Sequence, residues 1–355
     1  MKIWITALVC LALGAHATSA LADEPLDVLG RIHFNTNVSD FEQSRAFYQR
    51  LGFDTISGFP DANTVAMAQA IGITTPTEYD GSQGGEAGGY LLHGELIGPG
   101  FGKGVIDLIE FTIPRNEDPP YPALNRLGAV SAVFETNDLN ADYQTLAEQN
   151  VEFLADPAER SDGVRFAVLK DPDGTFYELR EVPGEADDAA PTQIHRIGAV
   201  IINVSDMERS LPWYAQLGFE VTSRAHASEN AEVGRALGFD GPVAFERAIL
   251  THRADGSQLE LLRWSEPFDA TPPHPVPINH LGIHRLAFTS GDIEGDVEKL
   301  RAQGVEFISP VTPCCSGPDA WGSIVAFYDP DGTIHELAEM PMMTWLTRLM
   351  NWWNN

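Results

Sequence analysis

The sequence predicts an α+β fold built from a duplicated strand–helix–strands unit, and two repeated stretches carry that prediction. Residues 37–53 (NVSDFEQSRAFYQRLGF) recur as 203–219 (NVSDMERSLPWYAQLGF). Residues 170–179 (KDPDGTFYEL) recur as 328–337 (YDPDGTIHEL). Two different matches in the same order in both halves of a chain indicate an internal duplication rather than chance.

The first repeat is typical of a strand end followed by a capped helix. Ser39 and Ser205 each stand three residues before a glutamate, which is the spacing of a capping box, where two side chains satisfy free amides at a helix start. Apolar residues then recur at helical spacing. Gly52 and Gly218 stand where a residue of left-handed conformation would end each helix.

The second repeat predicts a turn between two strands. In Asp-Pro-Asp-Gly, proline fixes one backbone dihedral and glycine supplies a positive φ. A weaker repeat lies within each half, because Asp138 and Asp292 open apolar stretches much as Asp40 and Asp206 do. The chain therefore contains four strand–helix–strands units, which we expect to pair in order into two domains.

Composition changes and the repeats together set the expected boundaries. The order is a signal peptide at 1–22, a first domain at 29–182, a linker rich in Pro, Gly, Ala and Asp at 183–192, a second domain at 193–340 and an aromatic C-terminal tail at 341–355. Short helices are expected at 63–72 and 229–238. Strands are expected near 29–38, 54–58, 90–93, 105–113, 127–135, 164–170 and 175–182, and near 198–204, 243–252, 257–264, 283–289, 324–328 and 333–338.

The N-terminal residues predict export. Lys2 precedes an apolar run at 3–13, and Ala-Leu-Ala at 20–22 is a typical cleavage site, so Asp23 would begin the mature chain. The apolar run is too short to span a bilayer, and we expect no transmembrane segment in the mature protein. The expected location is the periplasm. Cleavage would leave the adjacent Cys314 and Cys315, for which a vicinal disulfide, an intermolecular bridge and free thiols all stay open.

The charge balance narrows the class of partner. The chain has 51 Asp and Glu against 22 Lys and Arg, which argues against nucleic acid or an anionic membrane as its partner, because both attract positive charge. A small-molecule ligand or substrate is expected instead. The aromatic segment at 345–353 is typical of packing on the same protein or on a second copy, so a homodimer stays open.

Taken together, the duplicated motifs resemble the vicinal oxygen chelate superfamily of glyoxalase I, bleomycin-resistance proteins and extradiol dioxygenases. The resemblance covers nearly all of residues 29–340. It implies paired βαβββ modules forming cupped mixed sheets in two tandem glyoxalase-like domains. In this family one metal is held in a cup by residues from the first and last strand of each module. The fold hosts many chemistries and some pure binders, so the resemblance is specific for fold rather than for reaction.

The resemblance also assigns ligand positions when it is carried over residue by residue. The first domain has His33, Asp107, Ser131 and Glu178 at these positions, and the second has Ala199, Glu260, Arg285 and Glu336. We expect His33, Asp107 and Glu178 to bind one divalent metal, because three protein ligands with an open position suit a catalytic site. Iron, manganese, nickel and zinc all accept such a donor set.

The second domain is expected to bind no metal. Its Arg285 replaces a ligand between Glu260 and Glu336, where the guanidinium would stand in for the cation. In the first domain, Glu178 or Asp107 is the expected catalytic base. The further candidates for the substrate cavity are Asn35, Ser131, His93, His252, Glu260, Arg285 and Glu336.

Two functions follow from these residues, and whether the chain is an enzyme stays open between them. The first is a metal-dependent lyase or dioxygenase acting on a small molecule with vicinal oxygens, which the pair His33 and Glu178 favours. The second is a metal-free protein of the bleomycin-resistance type that sequesters a small ligand, which the incomplete ligand sets favour.

Overall fold

The computed structural model describes residues 25–184, 189–314 and 322–341, together with Thr344, Trp345 and Arg348. Within these ranges the chain forms two curled mixed sheets and six short α-helices, which confirms the α+β prediction and the tandem glyoxalase-like organisation. The signal peptide expected at 1–22 and most of the tail lie outside the described residues. No described helix has the length and apolar character needed to cross a membrane.

The first sheet joins the two ends of the chain. Its strands are β1 (Val28–Asn37), β2 (Asp54–Gly58), β3 (Leu91–Gly98), β4 (Ile106–Ile113), β14 (Gly282–Ser290), β15 (Thr312–Cys314), β16 (Gly322–Tyr328) and β17 (Ile334–Glu339). They lie in the order β15-β16-β17-β14-β1-β4-β3-β2. The central pair β1 and β14 is antiparallel, whereas β4 runs parallel to β1 and β17 runs parallel to β14.

The second sheet is made from the middle of the chain and repeats this arrangement. Its strands are β5 (Gly128–Thr136), β6 (Glu152–Phe153), β7 (Ala158–Glu159), β8 (Arg165–Lys170), β9 (Phe176–Glu181), β10 (Ile194–Asn203), β11 (Phe219–Glu229), β12 (Val243–His252) and β13 (Gln258–Glu266). They lie in the order β11-β12-β13-β10-β5-β9-β8-β6, with β7 paired to β8. The central antiparallel pair is β10 and β5.

The pairing of the four units differs from the expected one. The first unit shares a sheet with the fourth, and the second shares a sheet with the third, so each cup combines both sequence halves. The expectation that each half would form its own cup is therefore corrected. Sequence periodicity identifies the apolar face of each unit. It does not identify which units pair, because all four present the same kind of face and the same edge strand to a partner.

The helices that cover the sheets are α1 (Phe41–Arg50), α2 (Val65–Ala70), α3 (Leu139–Glu148), α4 (Met207–Gln216), α5 (Ala231–Ala236) and α6 (Ile293–Ala302). The four longer ones, α1, α3, α4 and α6, pack against the sheets through one core shared by all four units. Tyr48, Tyr177, Tyr214 and Phe288, one from each unit, are all buried in that core. Two smaller apolar clusters include α2 beside the first sheet and α5 beside the second.

The two repeated motifs contact each other within each half. Ser39 donates its backbone N–H and its hydroxyl to the two carboxylate oxygens of Asp173, at 3.0 and 2.5 Å, and the Tyr48 hydroxyl donates to Asp171 at 3.2 Å. The second half repeats this arrangement with Ser205, Asp331, Tyr214 and Asp329. The duplicated residues therefore join each helix start to the turn of the following unit.

This contact also corrects the predicted helix caps. The N-cap residues are Asp40 and Asp206, whose carboxylates accept backbone N–H groups of the first helical turn, and not the preceding serines. The ends of the same helices are as predicted. Gly52 and Gly218 both have φ of +91°, the left-handed conformation that lets the chain leave the helix.

Candidate functional site

The strand register makes the centres of the two sheets comparable residue by residue. In the first sheet Asp107 pairs with Asn35 of β1, and in the second sheet Glu260 pairs with Ile201 of β10. Asn35 and Ile201 are equivalent positions of the repeat. The parallel pairs β14/β17 and β5/β9 are related in the same way. The equivalent positions are Asp107 and Glu260, Glu336 and Glu178, and Arg285 and Ser131.

In the first sheet a guanidinium lies between two carboxylates. Arg285 Nη2 is 3.3 Å from Asp107 Oδ2, and Arg285 Nε is 3.0 Å from Glu336 Oε2. His33 Nδ1 lies 3.9 Å from the same Asp107 oxygen. These four side chains are only 6–11% exposed. Asn35 fixes the strand here, because its Oδ1 accepts the backbone N–H of Arg285 at 2.6 Å.

A β-bulge places Arg285 at this centre. Between Phe34 and Thr36 of β1, the partner strand advances from Leu286 to Ile283, so β14 contains one extra residue. Ile283 and Leu286 both belong to the shared core. Without the extra residue Arg285 would share the face of Ile283, so the bulge turns the guanidinium toward the two carboxylates.

Burial dominates the titration of this network. It raises the pKa of Asp107 to about 7, against the attraction of Arg285. It also raises the pKa of Glu336, again opposed by Arg285. Burial, followed by repulsion from Arg285, lowers the pKa of His33 to about 3. At neutral pH the imidazole is therefore uncharged, and Arg285 is the cation of the group.

In the second sheet three arginines meet two buried glutamates. Arg180 Nε donates to Glu178 Oε1 at 2.6 Å, and Arg180 Nη2 donates to Glu260 Oε2 at 2.9 Å. Arg160 Nη2 pairs with the other oxygen of Glu178. Arg247 Nη1 lies 3.9 Å from Glu260 Oε1. A guanidinium again bridges the two carboxylates. It comes from β9, whereas Arg285 comes from β14, whose equivalent in the second sheet is β5.

The charges of this centre stabilise one another. Burial acts to lower the pKa of Arg180, but Glu178 and Glu260 outweigh it, and the pKa of Arg180 lies above its ordinary value. Burial likewise acts to raise the pKa of Glu260, and the attraction of Arg180, Arg160 and Arg247 lowers it overall. The ion pair between Arg180 and Glu260 therefore remains charged at neutral pH.

A small pocket lies beside the Arg160–Glu178 ion pair. Its enclosed space is about 20 Å³, and it is partly open to solvent. Arg160, Glu178 and Ser131 supply its polar surface. Its remaining walls are apolar and include Val130, Ile201, Leu237, Phe245, Leu262 and Trp264.

Side-chain size at equivalent positions accounts for this pocket. Ser131 stands where the first sheet has Arg285, and Val130 stands where it has His284. The hydroxymethyl and isopropyl groups occupy less of the cup than a guanidinium and an imidazole. Ser131, one of the predicted cavity residues, lines this pocket of the second sheet.

The residues predicted to bind one metal are divided between the two centres. His33 and Asp107 lie together in the first sheet, whereas Glu178 lies in the second. Arg285 bridges Glu336 with Asp107, and not with Glu260 as expected. Both corrections have one cause, since the individual positions are equivalent as predicted but the units that carry them pair differently.

The residues present do not fit a bound metal ion. In both centres the paired carboxylates already face a permanently charged guanidinium, which would repel a cation at the same place. Among the described ranges, no group of three or more His, Cys, Asp and Glu side chains could hold a metal ion.

His93 and His252 lie outside both centres. The His93 side chain is 47% exposed, and its Nδ1 lies 3.3 Å from Asp61. His252 is buried at the end of β12, with Nε2 3.0 Å from the carbonyl oxygen of Leu217 and Nδ1 3.1 Å from Asp255. His252 thus joins the end of α4 to its neighbouring loop, which is a structural role.

Three arginines of the second centre were missed by the sequence reasoning. Arg180 follows Glu178 by two residues within a strand, and this spacing places both side chains on one face, so it could have been found. Arg160 and Arg247 come from separate strands and loops, and no local pattern connects them to the site. Only the three-dimensional pairing of β8, β9 and β12 with their neighbours brings them together.

Comparison with known proteins places this geometry in a family. The family model described as the Glyoxalase/Bleomycin resistance protein/Dioxygenase superfamily matches residues 30–179 and 195–337. No curated protein is significantly similar to the chain.

Solved structures show the same fold at low sequence identity. Glyoxalase I from Zea mays is similar with a TM-score of 0.59 and 15% identity, over 90% of this chain and 94% of that one. A putative dioxygenase from Bacillus subtilis is similar with a TM-score of 0.53 and 14% identity, over 89% and 86% of the two chains. At this identity the likeness concerns the fold alone. With the family model covering both halves, the chain belongs to the glyoxalase/bleomycin resistance protein/dioxygenase superfamily and carries its domain twice in tandem.

Proposed function

We propose that this protein binds a small molecule in the pocket of the second sheet and does so without a metal. The observation that carries the proposal is the combination of an apolar pocket with two buried carboxylates that are already paired with Arg180. A cup lined in this way can bind a ligand through its shape and its polar groups. It leaves no open position at which a metal ion could be coordinated. We also propose export, on the basis of residues 1–22 and their A-x-A cleavage site.

The lining of the pocket has the properties of a ligand site, and its enclosed space of about 20 Å³ admits one small group of a ligand. Mostly apolar walls with a few polar groups are typical of such sites, because apolar burial supplies free energy and the polar groups fix orientation. Phe245 and Trp264 add aromatic surface, with ring centroids 5.2 Å apart.

The alternative of a metal-dependent lyase or dioxygenase has less support. It requires His33, Asp107 and Glu178 to converge on one ion, and Glu178 is in the other sheet. In the first sheet the remaining pair faces Arg285. The contacts of these side chains therefore favour binding without metal chemistry.

The test is ligand binding by the mature chain after treatment with EDTA. A panel of compact apolar molecules is screened by thermal shift, and hits are measured by isothermal titration calorimetry. Leu237→Trp should abolish binding, because the indole would occupy the pocket that Leu237 lines. Ile71→Trp is the matched control, since Ile71 ends the corresponding short helix beside the first sheet and should lower stability without affecting the ligand.

Two outcomes would contradict the proposal. One is binding that appears only when a divalent metal is added back. The other is binding that survives Leu237→Trp and is lost in Ile71→Trp, which would move the site to the first sheet.

A further inference from the structure

We propose that residues 267–277 form a strap that a cluster of three histidines holds closed at neutral pH and releases in acid. The strap is part of the connection between β13 and β14, and the histidines are His274, His280 and His284. The device is separate from the pocket of the second sheet and goes beyond the proposed function. Three features carry it: the attachment of the strap, the geometry of the imidazole rings and the charges that face them.

The strap has little backbone pairing to hold it. Five of its eleven residues are proline, which lacks the N–H that a strand ladder requires. Its hydrogen bonds to the connection between β4 and β5 include one from Arg126 Nη2 to the Pro272 carbonyl at 3.2 Å. Another runs from the His274 backbone N–H to the Tyr121 hydroxyl at 3.2 Å. A segment with so few backbone bonds opens locally at a lower free energy than a paired strand does.

Three imidazole rings pack together where the strap meets the first sheet. The ring centroids of His274 and His280 are 4.7 Å apart, those of His280 and His284 are 5.2 Å apart, and those of His274 and His284 are 5.7 Å apart. The ring planes lie within 24° of parallel. His274 also stacks on Tyr121, with centroids 4.5 Å apart. The middle of the strap is therefore held by ring contacts with two other parts of the chain.

This packing suits neutral imidazoles and disfavours charged ones. His274 Nε2, His280 Nδ1 and His284 Nε2 are all buried without a hydrogen-bond partner among the described residues. An imidazolium donates from both ring nitrogens, so a proton added at any of these atoms would lack an acceptor. Two protonated rings at these distances would also repel each other.

The surroundings of the cluster favour the neutral form further. Burial lowers the pKa of His274 to about 4, and repulsion from His280 and Arg126 acts in the same direction. Burial also holds the pKa of His284 far below its ordinary value, and the other two histidines and Arg285 add to this effect. The pKa of His280 is lowered by burial as well.

Two carboxyl groups on neighbouring elements oppose these shifts only weakly. Asp118 Oδ2 lies 3.7 Å from His280 Nδ1, but its side chain is 69% exposed, so solvent screens it. Asp329, in the turn between β16 and β17, acts on Tyr121. Burial raises the pKa of Asp329 to about 6, so this group loses its charge in the same acid range. Neither group outweighs burial, because the pKa values of the histidines remain lowered.

Acid therefore shifts the equilibrium toward release. An opened strap would return His274 to an ordinary pKa of about 6.5. Between pH 6.5 and pH 4 the open form then binds a proton that the closed form does not, which favours opening as the pH falls. Release would expose Tyr121 and His284, which are now 8% and 5% exposed.

Hydrogen–deuterium exchange of the mature chain at pH 7.5 and pH 4.5 tests this inference, with rates corrected for the intrinsic effect of pH. Peptides covering 267–281 should open at least about tenfold more at pH 4.5, because the pKa of His274 is far below 6.5. Peptides covering β10 should stay protected. The double variant His274→Phe, His280→Phe keeps the rings without the titrating nitrogens, and it should change less than about twofold. His93→Phe is the control, because His93 is 47% exposed outside the cluster, and it should behave like the wild type.

Three outcomes would overturn the inference. The first is equal protection of 267–281 at both pH values in the wild type. The second is acid opening of the same size in the double variant, which would assign the effect to carboxyl groups. The third is an equal rise of exchange in β10, which would indicate unfolding of the whole protein. If the double variant does not fold, the contrast between 267–281 and β10 in the wild type decides the inference.

Discussion

Replacement of Arg285 by alanine is expected to destabilise the protein strongly. The substitution would leave Asp107 and Glu336 facing each other in a buried centre, without the guanidinium that now lies 3.3 and 3.0 Å from them. Removing one partner of a buried ion pair typically costs about 3–5 kcal/mol, because the remaining charge has lost its hydration and its partner. With about 2–4 °C per kcal/mol, the melting midpoint should fall by roughly 6–20 °C.

The matched control is an arginine with the same kind of partners in a different environment. Arg115 pairs with Glu110 at 3.0 Å and with Glu117 at 2.8 Å, but its side chain is 44% exposed. Exposed ion pairs contribute only about 0–1 kcal/mol. Arg115→Ala should therefore melt within about 2–4 °C of the wild type.

Calorimetric melting of both variants gives the comparison, and two further measurements identify the cause. The penalty of Arg285→Ala should be smaller at pH 5 than at pH 8, because the pKa of Asp107 is raised by burial and the acid can take up a proton once its cation is gone. The triple variant Arg285→Ala, Asp107→Asn, Glu336→Gln should recover much of the loss. An Arg285→Ala protein that melts like Arg115→Ala would refute this account of the first centre.

Two further predictions concern a buried histidine of β17 and the start of α1. Burial lowers the pKa of His335 from 6.5 to about 3. Below pH 6.5 the unfolded chain therefore binds a proton that the folded chain does not. As the pH falls from 6.5 to 4, this difference lowers the free energy of unfolding by about 3 kcal/mol. His335→Phe should remove that loss in urea denaturation at the two pH values, and equal pH dependence in both proteins would contradict it. Asp40→Ala should lower the free energy of unfolding by about 1 kcal/mol, because Asp40 is the N-cap. Glu42→Ala should lower it hardly at all, because Glu42 is exposed. If urea denaturation gives the reverse order, the capping box of Ser39 and Glu42 is the correct description.

Local sequence patterns predicted most of the elements well. The strands Asp54–Gly58 and Val243–His252 have the expected bounds, and the Asp-Pro-Asp-Gly turns join β8 to β9 and β16 to β17. Gly174 and Gly332 have positive φ of 94° and 90°, as that turn requires. These features depend on interactions between residues close in sequence, which is why a pattern can specify them.

The long strand β11 was not predicted, and its environment explains the failure. Phe219–Glu229 lies at the edge of the second sheet, and most of its residues are exposed. It is held by backbone pairing with β12 along its whole length rather than by burial of an apolar face. Without such a face the strand has little of the period-two pattern from which strands are recognised.

The candidate site was predicted by position but not by grouping. Every carboxylate assigned to a ligand position is buried at the centre of a sheet, because the repeats align the units correctly. Which of them share a centre depends on the pairing of β1 with β14 and of β5 with β10. That choice is made by tertiary contacts between segments far apart in sequence, and no motif records it.

The central claim is that guanidinium groups take the place of a metal in both sheets. The most direct test is the metal content of the mature wild-type protein, measured by mass spectrometry after incubation with Fe(II), Mn(II), Ni(II) and Zn(II) and removal of free ions. His33→Ala is measured beside it. The account predicts far less than one metal per chain in both proteins. About one metal per chain in the wild type, lost in His33→Ala, would contradict it.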